Sequence, residues 1–318
     1  MNAATSVVKV FIDKKAVISK KILKYKVLYF FMLPILISVF VFSYVPMYGI
    51  ILAFKDFSFG DGILKSPWVE PFGKYFLLFF KHTYFKQIIF NTVGISLLKI
   101  LSGFFATVSL ALIFNEIRNI RFKKITQTAL YLPHFVSWVI VAGFLGRFLS
   151  LDYGLLNQIK VVLFGGDPIL WLGESKYFWT IVVLSNIWKE VGWGSILYLA
   201  AIAGIDQQLY ESAYMDGAGR LKQALYITIP GIAPMMGIVL ALSMGSIMSA
   251  GFDQIYLLQT LQTYDVSMII DTYIMEVGLR NGQYGYATAV GLFQAVIGLI
   301  MILSFNKIAK KYFSISIW

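Results

Sequence analysis

The chain has 318 residues, 58% of them hydrophobic and only 14% charged, and it carries no cysteine. Soluble domains average roughly 45–50% apolar and about 25% charged residues, so an ordinary soluble enzyme is excluded, as are disulfide and thiolate chemistry. A net charge of +11 would suit nucleic acid, but the Lys and Arg residues cluster at the ends of apolar runs, which points to a membrane topology instead.

A membrane helix needs about 20 mostly apolar residues. Six segments meet that need: 28–52, 91–114, 128–149, 177–203, 231–250 and 286–306. The first opens on Tyr29-Phe30-Phe31 and contains Pro34 and Pro46, which membrane helices tolerate as kinks. Its apolar run is long and lacks a small-residue cleavage site, unlike a signal peptide. The fourth span includes Lys189 and Glu190, whereas the last runs from Tyr286 to Phe305 without a charge. The expected fold is all-α, a polytopic membrane protein with six transmembrane helices spread over 28–306. A basic tail, 1–27, precedes it, suited to anionic lipid as an amphipathic helix or left without structure. A tail over 307–318 follows.

Lys and Arg mark the cytoplasmic side of such spans. The tail, the segment with Arg118, Arg121, Lys123 and Lys124, the segment with Arg220 and Lys222, and the end with Lys307, Lys310 and Lys311 hold sixteen; the three opposite segments hold eight. Both termini are therefore expected in the cytoplasm. The outer segments 53–90 and 251–285 are long and rich in aromatic residues, among them Trp68, Tyr75, Tyr256 and Tyr273. Interfacial anchoring accounts for most of these; docking of a partner and sugar stacking are the functional alternatives. His82 and His134 lie apart without a ligand cluster, so no metal site is expected.

Between the fourth and fifth spans, Asp206 is placed to cap a short helix over 207–215. Gly217 and Gly219 then break it, because glycine takes backbone conformations closed to other residues. A second short helix follows, and Pro230 opens the next span. The segment 206–230 thus forms a helix–break–helix elbow on the cytoplasmic face.

Glu211-Ser212-Ala213, then Gly217 after three residues, then Ile227, Thr228 and Ile229-Pro230 after nine more, resembles the signature of binding-protein-dependent ABC importer permeases. That pattern reads Glu-Ala-Ala, three residues, Gly, nine residues, Ile, one residue, Leu-Pro; Ser212 and Ile229 depart from it. Tyr131-Leu132-Pro133-His134-Phe135, Asp216-Gly217-Ala218-Gly219, Phe252-Asp253-Gln254-Ile255-Tyr256 and Tyr284-Gly285-Tyr286-Ala287 are similar to the carbohydrate-uptake branch, above all to permeases for alginate and pectin-derived oligosaccharides. The resemblance covers roughly 25–318. It implies a type I importer fold in which the elbow is the coupling helix, a second related permease, two ATPase subunits and an extracytoplasmic solute-binding protein. It implies no cofactor on this chain, with ATP and Mg bound by the ATPases. The chain has no Gly-x-x-x-x-Gly-Lys-Ser/Thr phosphate loop and is not expected to be an enzyme.

Under that resemblance Glu211, Ser212, Ala213, Asp216, Gly217, Ala218 and Gly219 are the residues of the ATPase contact. Glu211 would meet a basic residue on the ATPase, Ala213 and Ala218 would allow close approach, and Asp216 would either meet the partner or cap the following helix. Polar groups inside spans are costly and often functional. This singles out Asn186, Lys189 and Glu190, with Trp188 for stacking and Ser243 and Ser246 for sugar hydroxyls, as a substrate path. Lys189 and Glu190 pairing with each other is the structural alternative. Asp253, Gln254 and Tyr256 are expected to meet the binding protein, with stabilisation of their own loop the alternative for Asp253 and Gln254. A secondary transporter would need an ion-coupling acidic pair within the spans, and a membrane-assembly factor would leave the elbow unexplained. Peptide or amino-acid uptake is a closer alternative to sugar.

Overall fold

The computed structural model describes residues 24–313. The basic tail lies almost wholly outside them. All the regular elements are helical, and the one strand-like pairing among the described residues is an antiparallel bridge between Lys55 and Trp68.

The chain begins with α1 (Lys26–Phe54), which buries only Ala53 and meets the rest of the protein through its last turns. It widens to a π turn over Phe40–Tyr44. The fifth span, α9 (Arg220–Gly245), does the same over Ala224–Thr228. In both places a proline follows, Pro46 and Pro230. Proline lacks an N–H, and its ring pushes away the carbonyl four residues back, here Phe42 and Tyr226, so the backbone opens there. The second short helix of the elbow is therefore continuous with its span.

A short helix, α2 (Lys74–Lys81), leads into α3 (Phe85–Glu116). Next come α4 (Ile120–Tyr131) and α5 (Trp138–Phe148). The expected span over 128–149 is not one straight helix, since α4 and α5 are bent by 100°. Pro133 ends the regular helix in a short 3-10 turn, and Ser137 starts a new one by accepting the Ile140 N–H at 3.4 Å. The chain continues through α6 (Leu155–Phe164) to α7 (Ser175–Ala203), then the elbow helix α8 (Gln207–Met215) and α9. It ends in α10 (Phe252–Leu258), α11 (Ile270–Met275) and α12 (Tyr284–Phe313). Among these, α1, α3, α9 and α12 are long and apolar enough to cross a membrane, and the bent pair makes a fifth if it counts as one span. α7 has the length, 29 residues, but carries Lys176, Lys189 and Glu190.

The centre of the fold is the pair α3 and α7. They run in the same direction, since Gly94 meets Trp179 and Thr107 meets Gly194. A Cβ on either glycine would come within 2.7 Å of the facing side chain. In lipid, close approach of this kind and interhelical hydrogen bonds hold helices together, because apolar contact with lipid is already available. α4 reaches α7 at Gly192, where a Cβ would lie 1.9 Å from the Leu130 carbonyl oxygen.

The segment 251–285, expected as an outer loop, packs into the bundle. Asn91 donates to the carbonyls of Asp265 at 2.9 Å and Met268 at 3.1 Å, and the Ile270 N–H donates to Thr92 Oγ1 at 2.9 Å. Ile255, Ile269, Ile270 and Tyr273 are buried there. The sequence reads this segment only as long and rich in aromatic residues; what draws it inward are α3 side chains that bind its backbone.

Candidate coupling elbow and substrate path

The elbow is built by local rules. Asp206 caps α8, its carboxylate accepting the Gln208 N–H at 3.0 Å. α8 buries none of its residues against the chain. After it, Gly217 takes φ +74, and the Ala218 N–H returns to the Ala213 carbonyl at 2.8 Å. Ala213 and Ala218 thus close the turn and are half-buried by it. Gly219 is extended and starts α9 without a side-chain cap. Asp216 stands at the C-terminal end of α8, so it does not cap the following helix. Across the break, the Tyr210 hydroxyl meets Thr228 Oγ1 at 2.9 Å, and Arg220 pairs with Glu116 of α3 at 3.3 Å.

Glu211, Ser212, Asp216, Gly217 and Gly219 are exposed. Glu211 forms no ion pair among the described residues. Beside it Tyr214, Met215, Leu221 and Tyr226 are each at least 75% exposed. Large exposed apolar side chains near an unpaired carboxylate, on a helix that buries none of its residues, make a surface able to seat in a partner.

The expected path residues separate into three places. Asn186 and Ser246 line one cavity, whose other walls include Ser96, Lys99 and Ser249. Asn186 has no hydrogen-bond partner among the described residues, whereas Ser246 donates to the Ser243 carbonyl and Ser243 to Val239. Ser243 does not line this cavity. Trp188 faces elsewhere, into an apolar groove between α5 and α7 with Phe144, Phe148 and Trp171; a step of two residues turns it about 200° from Asn186. Lys189 is buried, donates to the His134 carbonyl at 2.5 Å and lies 3.4 Å from Glu190. Glu190 also meets His134 Nδ1 at 2.8 Å. This trio fastens α7 to the bend between α4 and α5, the structural role open to the Lys189 and Glu190 pair from sequence.

Trp193 carries no signal of its own in the sequence, yet it lies one turn from Glu190 and stacks on the His134 ring at 4.7 Å with 2° between the planes. Ser96 and Lys99 on α3 line the same cavity as Asn186 and are not among the residues singled out from the sequence. For Lys99 the available signal was a single lysine inside an otherwise uncharged apolar run.

On the outer side Asp253 is exposed, and the Tyr256 hydroxyl accepts a hydrogen bond from Arg280 at 3.2 Å. Gln254 is not available to a binding protein. It is 1% exposed, and its side chain binds Lys99 at 2.7 Å, the Val182 carbonyl at 2.7 Å and Ser185 at 2.9 Å. On α10 it is one residue from the exposed Asp253, and the helix turns it inward.

The model of the binding-protein-dependent transport system inner membrane component family matches residues 99–314. The chain belongs to this family. Within it, the chain is 42% identical to the polygalacturonan/rhamnogalacturonan transport system permease protein YteP of Bacillus subtilis (strain 168), over 94% of this chain and 92% of that one. Protein LplB of the same organism is also 42% identical, over 90% and 89%. Among solved structures, the chain superposes with a TM-score of 0.84 and 38% identity on a chain of a bacterial ABC transporter involved in the import of the acidic polysaccharide alginate, covering 93% of this chain and 99% of that one. It matches equally well, over 94% and 99%, a chain of the alginate transporter in complex with an alginate pentasaccharide-bound periplasmic protein. The fold is that of a type I ABC permease, and this family member is a transmembrane transport subunit, not itself an enzyme.

Proposed function

We propose that this chain is the permease subunit of an ATP-driven importer that takes up an oligosaccharide delivered by an extracytoplasmic binding protein. It pairs with a second, related permease and rests on two ATPase subunits, which bind ATP and Mg. Six spans cross the inner membrane, α7 among them, with both termini in the cytoplasm. The observation that carries this reading is the exposed elbow 206–230: a capped helix with no buried face, a glycine turn, and a helix continuous with a span. ATP binding can shift the pore only through a contact that differs between its two states, and the elbow is the surface built to receive that contact. Glu211, Ser212, Ala213, Asp216, Gly217, Ala218 and Gly219 form it. The cavity holding Asn186 and Ser246 belongs to the sugar path, and Asp253 and Tyr256 lie on the side that meets the binding protein. The similar permeases for polygalacturonan/rhamnogalacturonan and the alginate importer support a saccharide cargo.

Reversing one charge tests the coupling. Glu211→Lys touches no buried contact, so the chain is expected to insert in the membrane at normal levels. Co-purification of the ATPases and sugar uptake are expected to be lost. Normal uptake by that variant would sink the assignment.

A further inference from the structure

α3 carries one charge within its membrane-crossing run, Lys99, fourteen residues from its outer end and seventeen from its inner end. A cation at that depth is costly and is usually paired or functional. Lys99 has no carboxylate in an ion pair among the described residues. Glu190 pairs with Lys189 and His134 and reaches Lys99 only through its electrostatic field, without an ion pair. The Lys99 ammonium donates to the Ala250 carbonyl at 2.8 Å and to Gln254 Oε1 at 2.7 Å. An ammonium has three donors, so one remains.

Lys99 is also part of the wall of the cavity of about 240 Å³ described above. One turn up the same helix, Ser96 is 3% exposed, and its Oγ has no hydrogen-bond partner among the described residues. A buried hydroxyl without a partner is unfavourable, and Ser96 belongs to the cavity wall, so a polar occupant that reached it there would be favoured. Asn186, from α7, adds an amide that is likewise without a partner among the described residues. The opposite wall is the broken backbone at the end of α9, with Ser246, Ser249 and Gly251. Gly251 takes φ +92, and a Cβ there would lie 2.8 Å from Lys99 Nζ. Only glycine lets this backbone come so close to the cation.

We infer that Lys99, with Ser96 and Asn186, forms a membrane-depth subsite for a carboxylate-bearing sugar residue, so that the cargo is an acidic, uronate-type oligosaccharide. Ser96 and Asn186 supply the hydroxyl partners that any sugar needs. The ammonium, which forms no ion pair among the described residues, supplies what only an anionic sugar uses, a charge-assisted hydrogen bond, which is about twice as strong as a neutral one. This inference rests on the proposed import function and specifies its substrate. The saccharides named for the similar transporters, polygalacturonan/rhamnogalacturonan and alginate, agree with it.

The test uses the whole transporter with its binding protein in proteoliposomes. Trigalacturonate is one probe. Its methyl ester, the same chain with the charge removed, is the other. Wild type is expected to import the acid in preference to the ester. Lys99→Gln is expected to lower import of the acid by about tenfold or more and that of the ester by less than about threefold, the size of one charged hydrogen bond. An equal loss on both probes would make Lys99 a brace for the break at Gly251 and overturn the inference. So would a wild type that imports the ester as well as the acid, or only neutral oligosaccharides, and this arm decides the matter even where Lys99→Gln fails to assemble. Failure of wild type to import any oligosaccharide with ATP would overturn the proposed function itself.

Discussion

At the scale of single residues, glycines decide how near the helices come. Gly192 faces the Leu130 carbonyl oxygen of α4, and a methyl group there would have to occupy space 1.9 Å from that backbone atom. Backbone cannot turn aside as a side chain can. Gly192→Ala is therefore expected to destabilise the protein by about 1–3 kcal/mol, the usual range for overpacking. Gly103, on α3, is different: a methyl group added there would meet nothing within 4 Å, and Gly103→Ala is expected to be neutral or slightly stabilising. Thermal unfolding in one detergent separates the two. Neither role could be read from the sequence, where both are glycines in apolar runs. Buried polar groups were legible in part: Asn186, Lys189 and Glu190 stood out in a span, but their distribution between a cavity wall and a brace depends on helix phase and on His134, 55 residues away from Lys189. Gln254 looked like a surface residue because its neighbour Asp253 is one.

At the scale of elements, the elbow was the most legible part of the chain. Its cap, glycine break and proline are local signals, and the structure uses each within a few residues of where it stands. What local signals did not carry is the tie from α8 to α9. The Tyr210–Thr228 hydrogen bond spans the break and lies away from the exposed face. Tyr210→Phe removes about 1 kcal/mol and leaves the break as a looser hinge. The expected outcome is normal assembly and ATP hydrolysis but fewer sugars imported per ATP, measured as uptake against phosphate release in proteoliposomes. The bend between α4 and α5 was hidden because both halves are apolar, and a hydropathy run does not report direction. The folding-back of 251–285 was hidden too, since its anchors, Asn91 and Thr92, lie over 170 residues earlier in the chain. Within that segment Tyr264, outside the membrane-spanning helices, donates its hydroxyl to Glu276. Burial, reinforced by that carboxylate, pushes its pKa well above the usual tyrosine value. The folded state holds this proton more tightly than the unfolded one. Its contribution is then complete below about pH 10, the unfolded pKa, and is lost as pH rises above it. Unfolding temperature should fall more steeply above about pH 10 in wild type than in Tyr264→Phe; parallel profiles would remove Tyr264 from that balance.

At the scale of the whole molecule, topology follows from the distribution of basic residues and can be tested directly, because the chain has no cysteine of its own. A single introduced thiol is then a unique label site. Asp61→Cys, on the exposed part of the outer segment, is expected to react with a membrane-impermeant maleimide in intact spheroplasts. Ser6→Cys and Ser314→Cys, one in each tail, should react only after the membrane is opened. Labelling of either tail in intact spheroplasts would reverse or break the six-span arrangement.

The parallel pair α3 and α7 has a mechanical consequence. Its outer end is fixed to the segment 265–268 by Asn91, Ser175 and Trp179, the last donating to the Val266 carbonyl at 2.8 Å. Its inner end leads straight into the elbow. A rod held at one end and pushed at the other is a lever, and the cavity lies close to its fulcrum. From Trp179 to Ala203 is about 36 Å of helix and from Trp179 to Asn186 about 10 Å, at 1.5 Å per residue. A push of about 5 Å on the elbow would therefore reach Asn186 as roughly 1.5 Å, by the same helix rise. Under the proposed coupling that is a reduction gear: large travel where an ATPase would act becomes small travel with greater force at the cavity. Such a step is too short to open a pore unaided, and Gln254, tied to Lys99 on α3 and to Val182 and Ser185 on α7, would ride with the pair.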